Sequence, residues 1–306
     1  MRVRRLTTIA VLTAVAVAVC AYVIANKISQ NLPLQLPSVA ARACVVNAGN
    51  ASVPAGSTGP AGSTGTAEVQ LDSEQLANAA TITAVGLTRK IPRRGLVVAL
   101  ATAWQESKLE NLTGGDRDSV GLFQQRPSQG WGTPEQIADP RYSANTFYTA
   151  LLKIKGWEKM RVTDAAQAVQ RSAHPEAYEK WSDTSELMVK ALSGEATGAV
   201  ACTVSEAATH GVEAARSLGA GLQLDWGKVS TTDVANLVGV ALKVKEPRTG
   251  WQYAHWLVAH AQEHGVKRVV FADMQWTATS GQWVHVTERG GIDAGPAGER
   301  VVAEVY

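Results

Sequence analysis

Glu106 is the side chain around which acid chemistry is most readily built in this sequence. It follows the run Leu96-Val97-Val98-Ala99-Leu100-Ala101-Thr102-Ala103-Trp104, which is apolar on every side and predicts a buried helix. Thr102 and Ala103 lie one turn back on its side of that helix, and Ala99 two turns back. A carboxyl at the mouth of such a helix is partly desolvated. Desolvation favours the neutral form of a carboxyl, which suits a general acid. A second carboxylate decides the reaction type, because hydrolysis through a carboxylate pair needs a base or nucleophile opposite the acid. Asp116 and Asp118, in the loop from Gly114 to Gly121, are the candidates; G-G-D-R-D-S is equally turn chemistry in its own right.

Glu106-Ser107, followed by Ser119-Val120-Gly121-Leu122-Phe123-Gln124, resembles the soluble lytic transglycosylase and goose-type lysozyme superfamily, which carries an E-S pair and then a G-L-M-Q stretch. The family's third motif, A-Y-N, corresponds to Ala168-Val169-Gln170, and the resemblance spans roughly residues 70–192. It implies a lysozyme-like domain in which Glu106 protonates the glycosidic oxygen between N-acetylmuramic acid and N-acetylglucosamine. Ser107 would hold that carboxyl or its neighbours, Gly121 would let the backbone approach the sugar, and Gln124 would hydrogen-bond in the cleft. Gln170 keeps the amide of the family's Asn, and Phe123 replaces its Met. Val169 stands in place of a tyrosine whose hydroxyl supports the acid. Tyr178 is a candidate to supply that hydroxyl from elsewhere. If neither Asp116 nor Asp118 is poised, the substrate's own hydroxyl can close an anhydro ring, as in lytic transglycosylases. Of Trp104, Trp131, Trp157 and Trp181, Trp131 in the Q-G-W-G loop is the candidate to stack on a sugar ring, and the others are assigned to the core.

A second motif invites a metal reading. His260-Ala261-Gln262-Glu263-His264 formally matches H-x-x-E-H, whose histidines can share a helix face and bind zinc. A third ligand should come from a downstream helix, yet strand-like sequence follows. No metal or cofactor is therefore assigned, and the helix is expected to bury Trp251, Ala254, Leu257 and Val258 with the histidines at its polar edge. The G-W-x-x-A-x-W stretch at Gly250–Trp256, with the Val-Val-Phe strand after it, weakly resembles a small α/β module of secreted cell-wall proteins.

The elements that must position these groups read as follows. Asp72-Ser73-Glu74-Gln75 is a capping box opening a helix to about Thr88. Asp139-Pro140 starts an amphipathic helix, and Thr163 caps a short one over 164–171. Nothing between 70 and 195 alternates for long, so residues 67–203 are expected to form an all-α lysozyme-like domain. Residues 204–306 are expected to form a small α/β domain, with helices over 232–242 and 251–264 and strands over 268–271, 282–286 and 301–306.

Ahead of these domains, Arg2, Arg4 and Arg5 precede an apolar run over 6–25, so residues 1–26 are expected to be a signal peptide or a membrane anchor with the rest of the chain outside. Residues 27–66, with their repeated P-A-G-S-T-G, read as an extracellular linker. In an oxidising compartment Cys44 and Cys202 are expected to form a disulfide tying the two ends of the first domain together, with two unpaired thiols as the alternative. A net charge of +2 gives no case for a nucleic-acid partner. The expected partner is the peptidoglycan glycan strand, with the membrane as a second one if the N-terminal helix is retained. The reading is an exported enzyme acting on that glycan; the alternative is a non-catalytic wall-binding or assembly protein.

Overall fold

A computed structural model describes residues 44–49, 68–286 and 298–306, all within the compact unit Arg42–Tyr306. Residues 1–26, expected to be a signal or anchor, and most of the expected linker lie outside the described residues. Among the described residues no helix is long and apolar enough to cross a membrane.

The chain opens on two short strands, β1 (Cys44–Asn47) and β2 (Glu68–Leu71). Helix α1 (Ser73–Thr88) follows, started by the expected box: the Asp72 carboxylate accepts from the Gln75 N–H, and the Gln75 side chain accepts from the Asp72 N–H. Helix α2 (Arg93–Ser107) is buried from Gly95 through Ala103 and ends where Lys108 and Leu109 turn left-handed. Around it pack α4 (Pro140–Leu151), α5 (Val162–Gln170) and α6 (Ser182–Leu192), with the one-turn α3 (Pro134–Ile137) beside α4. Strand β3 (Val200–Cys202) then pairs with β1, completing a three-stranded antiparallel sheet in the order β2-β1-β3. Cys44 sits opposite Cys202 in that register, and the two form a disulfide.

The second half begins with α7 (Gly211–Trp226), then β4 (Thr231–Thr232) and β5 (Gly239–Lys243). Helices α8 (Pro247–Ala259) and α9 (Ala261–His264) lead into β6 (Val266–Phe271), β7 (Met274–Thr277), β8 (Trp283–His285) and β9 (Arg300–Val305). These strands form a six-stranded antiparallel sheet in the order β4-β5-β9-β6-β7-β8. Helix α8 lies on β6 at Gly250, where any Cβ would fall within 1.9 Å of the Phe271 ring.

The fold is therefore mixed α/β throughout, and the expected all-α domain over 67–203 is overturned. Its sheet uses strands of three or four residues drawn from 44–47, 68–71 and 200–202. Strands that short cannot express a period of two, and β1 fell within the presumed linker. The helix expected over 232–242 is also absent, replaced by β4, a turn through left-handed Asn236, and β5. A short apolar run such as Val240-Ala241-Leu242, buried on both faces, carries no period that separates strand from helix.

One apolar core runs through both halves, from Cys44 to Val305. Trp276 and Trp283 of the larger sheet donate their indole N–H groups to the Cys202 and Val200 carbonyls of β3. His255 of α8 is fully buried between α6 and the residue before β3: its Nε2 accepts from the Ala199 N–H, which leaves Nδ1 to donate to the Ala191 carbonyl. Burial pushes this imidazole down to about 4.

Candidate functional site

Glu106 stands in the last turn of α2, half-buried, one residue before the helix ends. The Tyr178 hydroxyl donates to its Oε1 at 2.6 Å. Tyr178 is buried, and burial, reinforced by the adjacent Glu106 carboxylate, raises its phenol well above the usual range. It is thus held as a proton donor to Glu106. Val169 is buried on α5.

Ser107 is buried, and its hydroxyl reaches the Ala103 carbonyl of its own helix at 3.0 Å and the Leu122 carbonyl at 2.8 Å. It ties the end of α2 to the Gly121-Leu122-Phe123-Gln124 turn and does not bond the Glu106 carboxyl. Gly121 has φ +75°, and a Cβ there would fall 2.7 Å from the Ile137 carbonyl oxygen. Its need for glycine is met by this packing alone. Phe123 is fully buried and stacks on Phe147 at 4.6 Å. Gln124 turns its amide back to the Gly121 carbonyl at 3.1 Å. Gln170, at the end of α5, donates to the Phe123 carbonyl at 2.7 Å. Ser107, Phe123 and Gln170 therefore form one scaffold behind the acid.

The two aspartates differ. Asp116 is exposed, with Arg117 at 3.8 Å. Asp118 accepts from Arg126 Nε at 2.7 Å and from the Ser128 N–H at 2.8 Å. The Ser128 contacts, then Arg126, hold its carboxyl well below the usual carboxylate range. With both oxygens engaged, Asp118 braces the loop and is poorly placed to accept a further proton.

Beside this scaffold opens a cavity of about 910 Å³. Trp131, Tyr142, Val169 and Gln170 are among its lining residues, whereas Glu106 and Tyr178 are not. Trp131 is half-buried, with its carbonyl accepting from the Tyr142 hydroxyl at 3.2 Å. Of the other tryptophans, Trp157 is core. Trp104, two residues before Glu106, and Trp181 form a half-buried pair, centroids 5.3 Å apart, anchored by the Trp181 indole donating to Gln105. That pair and the cavity's cationic residues escaped sequence reasoning, since helices distant in sequence create both.

The H-x-x-E-H histidines are buried, not at a polar edge. The helix breaks between Ala259 and Ala261, and both imidazoles stack with Trp256. His260 Nε2 lies 3.2 Å from the Thr81 hydroxyl, and His264 Nδ1 lies 2.8 Å from that of Ser217. Asp225, also buried, accepts from Thr81 and from the Trp256 indole, and pairs with Arg141. Burial lowers both histidines, His264 to about 4. Among the described residues no group of three or more His, Cys, Asp or Glu side chains is arranged to hold a metal.

A family model described as VldE, C-terminal domain, matches residues 232–296. That stretch begins in β4 and includes α8, α9 and β5 to β8, so the likeness lies wholly in the second half of the chain. No curated protein matches the chain.

Proposed function

We propose that this protein is an exported enzyme that cleaves the glycan strand of peptidoglycan between N-acetylmuramic acid and N-acetylglucosamine, with Glu106 as general acid and base. The observation that carries the reading is the 2.6 Å hydrogen bond from the buried Tyr178 hydroxyl to Glu106 at the end of a buried helix. It orients one carboxyl oxygen and leaves the other to meet substrate. The motif resemblance around Glu106-Ser107 and Gly121-Leu122-Phe123-Gln124 supports the choice of substrate.

The reaction is proposed as a lytic transglycosylation. Glu106 gives its proton to the glycosidic oxygen as the bond to the anomeric carbon breaks. The 6-hydroxyl of the same sugar attacks that carbon, and the Glu106 carboxylate takes the hydroxyl proton. No water enters, so no second carboxylate is needed, which fits the engagement of Asp118 by Arg126 and Ser128. A second reading, a non-catalytic wall-binding protein, draws on one observation: the cavity that holds Trp131 does not include Glu106.

The test is digestion of purified sacculi by the full-length protein and by Glu106→Gln. Loss of a general acid lowers the rate by about 100- to 10,000-fold. Equal muropeptide release by both proteins, or release by neither, sinks the catalytic reading. Product mass then separates the chemistries, because an anhydro end is lighter than a hydrolytic one by one water.

A further inference from the structure

The turn between α1 and α2 and the loop after α4 form one basic surface. Arg89, Lys90 and Arg94 come from the first, and Lys153, Lys155 and Lys159 from the second. The two segments are packed together. Trp157 of the loop is buried, and its ring would lie 3.1 Å from a Cβ at Gly95, in the first turn of α2. The Arg94 guanidinium donates to the Met160 carbonyl, and that of Arg89 donates to Asn145 and Thr149 of α4. Lys90 and the three loop lysines are exposed. Among the described residues none of the six is ion-paired. Arg93 is paired with Glu186 and Glu195 and adds nothing to the excess. Glu158 is the one carboxylate in either segment.

The whole chain carries 29 cationic and 27 acidic side chains, so its net charge of +2 conceals this local excess. Like charges gathered without counter-charges repel one another and do not stabilise the fold. An anionic partner would compensate them, and the apolar groups beside them narrow its kind. Leu152 is 49% exposed at the head of the loop, and Ile154 and Met160 are half-buried within it. A soluble phosphate polymer gains nothing from such side chains. The headgroup region of a bilayer does: lysines keep their ammonium groups among the phosphates, while their stems and a neighbouring leucine reach towards the acyl boundary.

We propose that this surface docks on an anionic phospholipid bilayer, with Arg89, Lys90, Arg94, Lys153, Lys155 and Lys159 on the headgroup phosphates and Leu152 inserted between them. The docking goes beyond the glycan reading and does not rest on it.

A lysine footprint tests it on the full-length protein, mixed with vesicles of phosphatidylcholine alone or of phosphatidylcholine with phosphatidylglycerol. Acetylation of each amine is read by mass spectrometry, so binding through any other part of the chain is told apart from docking of this surface. With phosphatidylglycerol present, labelling of Lys153, Lys155 and Lys159 is expected to fall about fivefold or more, the contribution of a single cation at an anionic surface. Labelling should recover at high salt. Lys228 and Lys243, exposed and outside both segments, should be labelled alike on the two vesicles. The double variant Lys90→Gln/Lys155→Gln changes two exposed positions and should abolish the protection of Lys153 and Lys159; Leu152→Ser should weaken it with the charge unchanged. Equal labelling on the two vesicles, equal protection of Lys228 and Lys243, or protection unaltered by either variant overturns the proposal. So does equal protection by soluble poly(glycerol phosphate) without vesicles, which would assign the surface to a phosphate polymer. The readout uses no glycan, so the catalytic reading can fail while the docking stands, and the reverse.

Discussion

Removing a single oxygen, Tyr178→Phe, separates positioning from binding at the candidate site. The phenol is buried and its hydroxyl lies 2.6 Å from Glu106 Oε1, so phenylalanine keeps the ring packing and loses only the donor. A hydrogen bond to a charged group contributes roughly 1.5–3 kcal/mol, about 10- to 150-fold in rate if it were made only along the reaction path. Glu106 is half-buried, so water can replace the lost donor and the lower end applies. We expect kcat to fall about tenfold with KM within about twofold, because Tyr178 is not part of the cavity lining. Steady-state turnover of soluble glycan oligomers, with thermal melting to confirm folding, measures this. A folded variant with unchanged kcat would refute the positioning role. A higher KM at constant kcat would make Tyr178 a substrate contact instead.

Two further outcomes concern stability. The Cys44–Cys202 disulfide closes a loop of 158 residues, and loop-entropy arguments give such a closure roughly 3–5 kcal/mol; Cys44→Ser should lower the midpoint of denaturant unfolding accordingly, and an unchanged midpoint would show that the strand register suffices without it. Buried His255, lowered from 6.5 to about 4, is protonated in the unfolded chain but not in the folded one between those values. Its stabilisation is therefore full above pH 6.5 and lost as pH falls towards 4, a swing of about 3 kcal/mol, with His264 acting in the same sense. Urea titrations at pH 7 and pH 4.5 read the slope, and His255→Gln should flatten it; a slope indifferent to that change would refute the assignment.

How much of this was legible beforehand depended on the range of the interaction. The capping box at Asp72 and Gln75 is written within four residues, and the apolar run into Glu106 within eleven, so both elements were found. Glu106 itself is half-buried, between Ala103 and Ser107, which its helix buries. Ser107 and Gln170 bond backbone carbonyls 15 and 47 residues away, a scaffolding that residue type alone does not reveal. Tyr178 had only the absence of a hydroxyl at Val169 to recommend it. The small sheet was missed because its central strand precedes the stretch assigned to the domain, and its pairing with β3 spans 158 residues.

That long-range closure also decides how the protein can be tested. A fragment of residues 67–203 would retain Glu106, Tyr178 and the cavity-lining residues but lose β1, leaving β2 and β3 without the strand that joins them and Cys202 without its partner. It would also lose Asp225, whose carboxylate binds Thr81 of α1 and Arg141 of α4. Arg141 adjoins Tyr142, a cavity-lining residue, so the second half of the chain braces the helix that shapes the site. Unpairing the partly buried Arg141 and exposing the α1 surface that α7 and α8 cover both destabilise the fragment. We expect the fragment to be poorly folded and inactive, as read by circular dichroism and sacculus digestion. A well-folded fragment as active as the full chain would refute the integration of the two halves. Inactivity of the fragment alone says nothing against Glu106, whose trial belongs to the intact chain.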